Sequence, residues 1–152
     1  MRRLLQLFAI FVLAVLIYPE KNIAAELEED AVTGVWKTDA NKSHIEIYKK
    51  DGKYFGKIIW LKEPNTPDGK AKVDKSNPDE KLRTRSLLGL FMLKNFVYDE
   101  DYVWKGGEIY NPEDGKTYSC KMTLSKDGKN LKVRGYVGIS LFGKTVEWER
   151  VK

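Results

Sequence analysis

Side chains that could do chemistry are few and scattered in this 152-residue chain. His44 is its single histidine and Cys120 its single cysteine. Nucleophilic catalysis needs a nucleophile, a base and an orienting acceptor held together. No spacing signals that His44 and Cys120 meet. His44 is therefore expected as a solvated surface residue and Cys120 as a small buried hydrophobe. One cysteine also excludes an intramolecular disulfide and a zinc site built on cysteines. Acid–base work could use paired carboxylates instead, and the candidates are Glu46, Asp74, Asp114, Glu147 and Glu149. Glu46, Glu147 and Glu149 fall at outward positions of alternating segments, and Asp114 precedes Gly115 as a turn former. Gly106-Gly107 lacks the Lys-Ser/Thr and the helix of a phosphate loop. Asp68-Gly69 and Asp79-Glu80 offer too few spaced oxygens for calcium. The expectation is no enzyme, no metal and no cofactor.

What remains is binding. Asp74 lies with Asn77, Arg83 and Arg85 in one polar stretch, residues 62–86. Its plainer reading is an Asx-turn and a surface ion pair, the latter worth little. The sharper reading is a polar network that fixes this loop over one end of the fold. Asp74 would then accept from an arginine or from backbone N–H groups. Asn77 would cap a short helical turn beginning at Pro78, and Arg83 or Arg85 would reach a ligand head group. Trp36, Trp60, Trp104, Trp148, Tyr54, Tyr110, Tyr118 and Phe91 would line or cap a concave apolar site. Asp74, Asn77, Arg83, Arg85, Trp60, Trp104 and Tyr118 are the candidate ligand contacts.

The elements that must position them follow a period of two. Tyr118, Cys120, Met122 and Leu124 alternate with polar residues, and Leu131, Val133, Gly135 and Val137 repeat the pattern after Asp127-Gly128. That is the signature of half-buried strands joined by a hairpin. Tyr118, Cys120, Met122, Leu131, Val133, Val137, Val146 and Trp148 are placed inside. Turn signals at Asp51-Gly52, Asn111–115 and Gly143-Lys144 divide the rest. Strands are expected near 33–38, 44–49, 53–61, 89–97, 102–110, 116–124, 130–138 and 144–151. A fold of about eight antiparallel strands is all-β, and closing it into a barrel removes exposed edges. A two-sheet sandwich is the alternative that periodicity leaves open. Residues 62–86 are too long for a hairpin turn, and such a loop is usually functional or disordered.

Residues 1–25 read differently. Arg2 and Arg3 precede the apolar run 4–17, and small residues Ala24-Ala25 precede an acidic stretch. That order is a secretory signal peptide, and the run is short for a bilayer span of roughly 20 apolar residues. The expectation is cleavage near Glu26, a mature domain over 26–152 with no transmembrane span, and a periplasmic or extracellular location. Removing 1–25 takes away three basic residues and one acidic, so the formal net charge falls from +5 to +3. A mild, mixed balance argues against nucleic acid, which wants a concentrated basic stripe.

The mature region resembles the bacterial family catalogued as domain of unknown function 2147. The resemblance rests on Gly34-Val35-Trp36, Asp74-x-x-Asn77-Pro78, the run Arg83-Thr84-Arg85-Ser86-Leu87-Leu88-Gly89-Leu90 and Trp104-Lys105-Gly106-Gly107-Glu108-Ile109-Tyr110-Asn111-Pro112. It continues through Asp114-Gly115-Lys116-Thr117-Tyr118, Leu131–136 and Trp148-Glu149-Arg150. It implies an exported, single-domain, lipocalin-like barrel of the up-and-down type and no known activity. A fainter similarity to lipocalins proper lies in Gly34-x-Trp36, with Arg150 expected over the Trp36 indole as a structural closure. The functional expectation is a binder of a small amphipathic or apolar ligand. The rivals are a filled barrel that docks another envelope protein and, last, an enzyme acting on envelope material.

Overall fold

The computed structural model describes residues 28–139 and 141–151. The expected leader and its cleavage near Glu26 lie outside the described residues. Eight antiparallel strands follow in chain order: β1 (Gly34–Lys37), β2 (Ser43–Lys50), β3 (Lys53–Leu61), β4 (Phe91–Tyr98), β5 (Val103–Asn111), β6 (Lys116–Leu124), β7 (Asn130–Tyr136) and β8 (Gly143–Arg150). Each pairs with its sequence neighbours, and β8 returns to β1, so the sheet is a closed up-and-down barrel. A barrel, not a sandwich, is the outcome.

Turn chemistry explains the meander. Asp51 and Gly52 both take positive φ between Lys50 and Lys53, as a two-residue hairpin requires. Gly128 does the same between β6 and β7. Inward positions carry the core: Ile45, Ile47, Tyr54, Leu93, Phe96, Trp104, Cys120, Met122, Leu131 and Val133 are buried. Gly107 is where Phe96 crosses β5, and a Cβ there would overlap the ring.

The strand expectations hold to within a few residues, with three corrections. β7 stops at Tyr136, and Val137, expected inside, is 70% exposed. Tyr118 and Val146 sit at inward positions but are only half-buried. The turn after Asn77 is a single 3₁₀ turn over Glu80–Leu82, capped by the Asp79 carboxylate accepting from the Lys81 N–H; Pro78 does not begin it.

Antiparallel order puts the turns at 51–52, 99–102 and 125–129 at one end, with residues 28–33. The connections 38–42, 62–90, 112–115 and 137–142 share the other end.

Candidate functional site

The first of these ends is sealed. Residues 28–33 run beneath the strands and are tied down by side chains projecting from them. The Trp36 Nε1–H donates to Val32 O at 2.9 Å, and the Trp104 Nε1–H donates to Glu29 O at 3.1 Å. The Tyr54 hydroxyl donates to Asp30 at 2.7 Å, and Lys49 bridges Glu29 and Asp30. Tyr98 donates to Glu28 at 2.6 Å, and burial followed by this carboxylate pushes its phenol up to about 12. The Arg150 guanidinium lies 4.2 Å from the Trp36 ring centroid. It donates to Thr33 O and Gly128 O at 2.8 and 2.7 Å, and to Ala31 O. Its Nη1 would lie 2.8 Å from a Cβ at Gly34. Gly34, Trp36 and Arg150 thus form one closing device.

The other end carries the long loop, and the loop is ordered. Its flanks pair through bridges at Asn65–Ala71 and Val73–Ser86. At its centre Asp74 is fully buried and accepts three side-chain hydrogen bonds, from Tyr110 Oη at 2.6 Å, Asn77 Nδ2 at 2.8 Å and Arg85 Nε at 2.9 Å, and it forms an ion pair with Arg85 Nη2 at 2.7 Å. Burial alone would raise this carboxyl's pKa, but the bonds from Tyr110, Asn77 and Arg85 outweigh it and hold it below the usual range. Tyr110 moves the opposite way: burial and the Asp74 carboxylate raise its phenol. Asn77 does double duty, since its Oδ1 also accepts the Asp79 N–H. The surface ion pair preferred from sequence is corrected by this burial. Tyr110 alternates with the inward Ile109, so the loop is strapped to the rim at β5. Ser76 O meets the backbone at Gly115, where a Cβ would collide with it.

Inside this rim the lining thins. Ile109, Tyr118, Gly135 and Val146 occupy inward positions on β5–β8 and are only half-buried, while Cys120, Met122, Val133 and Trp148 below them are buried. A Cβ added to Gly135 would touch only Ile109 and Tyr118, at 3.4 and 3.6 Å. The Tyr118 hydroxyl donates to Asp114 at 2.7 Å, a bond that lowers the Asp114 pKa.

Of the residues singled out, Asp74, Asn77, Arg83 and Arg85 come together, with the Arg83 Nε–H donating to Asn77 O at 2.8 Å. Trp60, Trp104 and Tyr118 do not join them. Trp60 lies on the outer wall, 4.4 Å from the His44 ring, because a bulge between His44 and Ile45 turns it out. Phe91 is also on the outer wall, 45% exposed. Trp104 is fully buried at the sealed end. Gly135 and Val146 were placed on the inward face from sequence but not counted among the ligand contacts, and Ile109 was not singled out, although the pairing of β5 with β6 places it beside Tyr118. His44 and Cys120 stay apart, on opposite sides of the wall, and burial pushes the Cys120 thiol up to about 12. No three His, Cys, Asp or Glu among the described residues group around a metal-sized site. No helix among them is long and apolar enough to cross a membrane.

Residues 34–150 match the family described as "Uncharacterized protein conserved in bacteria (DUF2147)". Among solved structures, one from Helicobacter pylori is similar, with 30% identity and a TM-score of 0.70. The match covers 79% of this chain and 82% of the other, titled "Protein HP1028 from the human pathogen Helicobacter pylori belongs to the lipocalin family". Among curated proteins none matches.

Proposed function

This chain belongs to the bacterial family DUF2147 and has a lipocalin-like barrel, and from that premise we propose that it binds a small amphipathic or apolar ligand at the open end of the barrel. The observation that carries this reading is the half-buried inner wall of Ile109, Tyr118, Gly135 and Val146 above a closed core. Below that level Trp36, Trp104, Phe96 and Met122 fill the interior, so the ligand's apolar part enters only the upper half. Its polar group meets the rim. There Lys144 holds an inward rim position by alternation with Val146, while Asp74, Asn77 and Arg85 fasten the loop to the rim from the outer side, beside Tyr110.

The reading is non-enzymatic, because the described nucleophile candidate is buried and protonated and has no base beside it. Export belongs to it as well and rests on residues 1–25. An exported product whose N-terminus lies near Glu26 supports that part, and full-length chain firmly held in washed membranes ends it.

The ligand test uses a fluorescent fatty acid titrated into the protein. A Cβ at Gly135 meets only the Ile109 and Tyr118 side chains, so Gly135→Val adds bulk to the upper wall, and β-branched residues suit a strand. The variant should keep its urea midpoint and lose binding at least about tenfold, a change of about 1.4 kcal/mol. Unchanged affinity in Gly135→Val, or no binding by the wild type, overturns the reading.

A further inference from the structure

The β7–β8 hairpin tip is the most apolar exposed feature of the described chain. Val137, Ile139, Leu141 and Phe142 are 70%, 60%, 76% and 70% exposed. Residues 135–143 carry no charge at all. A compact patch of large apolar side chains on a protein surface marks an interaction site. We propose that this tip inserts into the surface of an anionic lipid membrane, with the open end of the barrel facing the bilayer.

Three observations choose a membrane over a protein. The first is the order of side chains along the hairpin. The apolar tip comes first, Tyr136 stands just behind it at the end of β7, and Arg134 and Lys144 follow on the two strands. That sequence matches the layers of a bilayer edge: hydrocarbon, an interfacial aromatic, then cations at the phosphates. The first carboxylate on either strand is Glu147, so along the two strands cations come first behind the tip. Lys144 is exposed and has no ion-pair partner among the described residues.

The second observation is the backbone. Polar groups that enter lipid must be satisfied internally. The Val137 N–H donates to Phe142 O at 3.3 Å, and the Phe142 N–H donates to Ile139 O at 3.1 Å. Arg134 Nη2 donates to Leu141 O at 3.1 Å and its Nη1 to Thr145 Oγ1 at 2.9 Å. These bonds keep part of the tip's backbone paired within the hairpin itself. The third is area. Four side chains on a convex turn supply well under the roughly 800 Å² per partner of a stable protein interface. A second copy of the chain is therefore a poor occupant.

The experiment places an environment-sensitive fluorophore at the tip through Leu141→Cys, in the protein recovered after export. A second sample carries it at the opposite end through Lys126→Cys. Vesicles of phosphatidylcholine alone are compared with vesicles containing phosphatidylglycerol. The tip label should shift to the blue and brighten with phosphatidylglycerol vesicles, and the Lys126 label should not respond. In flotation assays Leu141→Ser with Phe142→Ser should lower vesicle binding at least about tenfold, with an unchanged circular dichroism spectrum. A tip label that stays in water, equal responses at both ends, or flotation indifferent to the double variant overturns the proposal. So does a wild-type dimer that the double variant dissolves, since the occupant would then be a second copy. Fatty-acid binding in solution is read without vesicles, so either reading can fail alone.

Discussion

Asp74 is the residue on which the open end turns. Replacing it by Asn keeps the shape but removes the charge that Arg85 and Tyr110 address. The expected loss is about 1–3 kcal/mol at neutral pH, because Arg85 is part-exposed and can recover water. The depressed pKa of Asp74 fixes the pH dependence. Its contribution is fully present above the unfolded carboxyl value of about 4 and fades as pH falls through the folded value. The gap between wild type and Asp74→Asn in urea melts should therefore narrow below about pH 4. Hydrogen exchange should localise the effect, with faster exchange at Asp74 and Leu87, whose N–H groups bond across the loop to Arg85 O and Lys72 O. Cys120 makes the contrasting case. With its thiol pushed up to about 12 by burial, alkylation at neutral pH should be negligible in the folded protein and complete in urea. The sequence picked out Asp74, Asn77 and both arginines, yet ranked Asp74 as a surface charge first. The deciding partner, Tyr110, is 36 residues away, and no local pattern announces which strand a long loop will pack on.

At the scale of elements, the inward register of β6–β8 yields a paired test. Leu131 is fully buried and Lys132 exposed. Leu131→Ala should cost about 2–5 kcal/mol, and Lys132→Ala within about 0.5 kcal/mol. Similar losses at both positions in urea melts would show the register to be wrong. The strands were readable because alternation and Asp-Gly turns mark them directly. The failures sit where alternation breaks. The bulge at His44/Ile45 leaves Ile59 outside the ladder and reverses Trp60, and a bulge leaves no mark in composition. Val137 continues the alternation on paper, but pairing ends at Tyr136 opposite Gly143, and the chain turns before Val137 can face inward. The loop's attachment has a glycine signature of its own. Gly115, at φ 71, lies under Ser76 O, so Gly115→Ala should detach the loop from the rim and speed exchange across residues 72–87 without melting the barrel.

At the scale of the molecule, one guanidinium locks the sealed end. Arg150 stacks on Trp36 and holds three carbonyls from two segments. Arg150→Lys keeps the charge but cannot span them, so it should lose about 2–4 kcal/mol, close to the loss in Arg150→Ala. The ring itself closes through a narrow seam, with register pairs only at Trp36–Arg150 and Lys37–Glu149. β1 therefore waits for β8. Thr33 and Arg150, which meet across that seam, are separated by 117 residues, and contacts of such long range slow folding. Every shorter nascent chain has two open sheet edges and an unlocked base. A chain cut after Gly143 should show no cooperative melt. A barrel that cannot close until β8 has joined β1 stays pliable until then, the condition under which a polypeptide can still be threaded through a narrow pore.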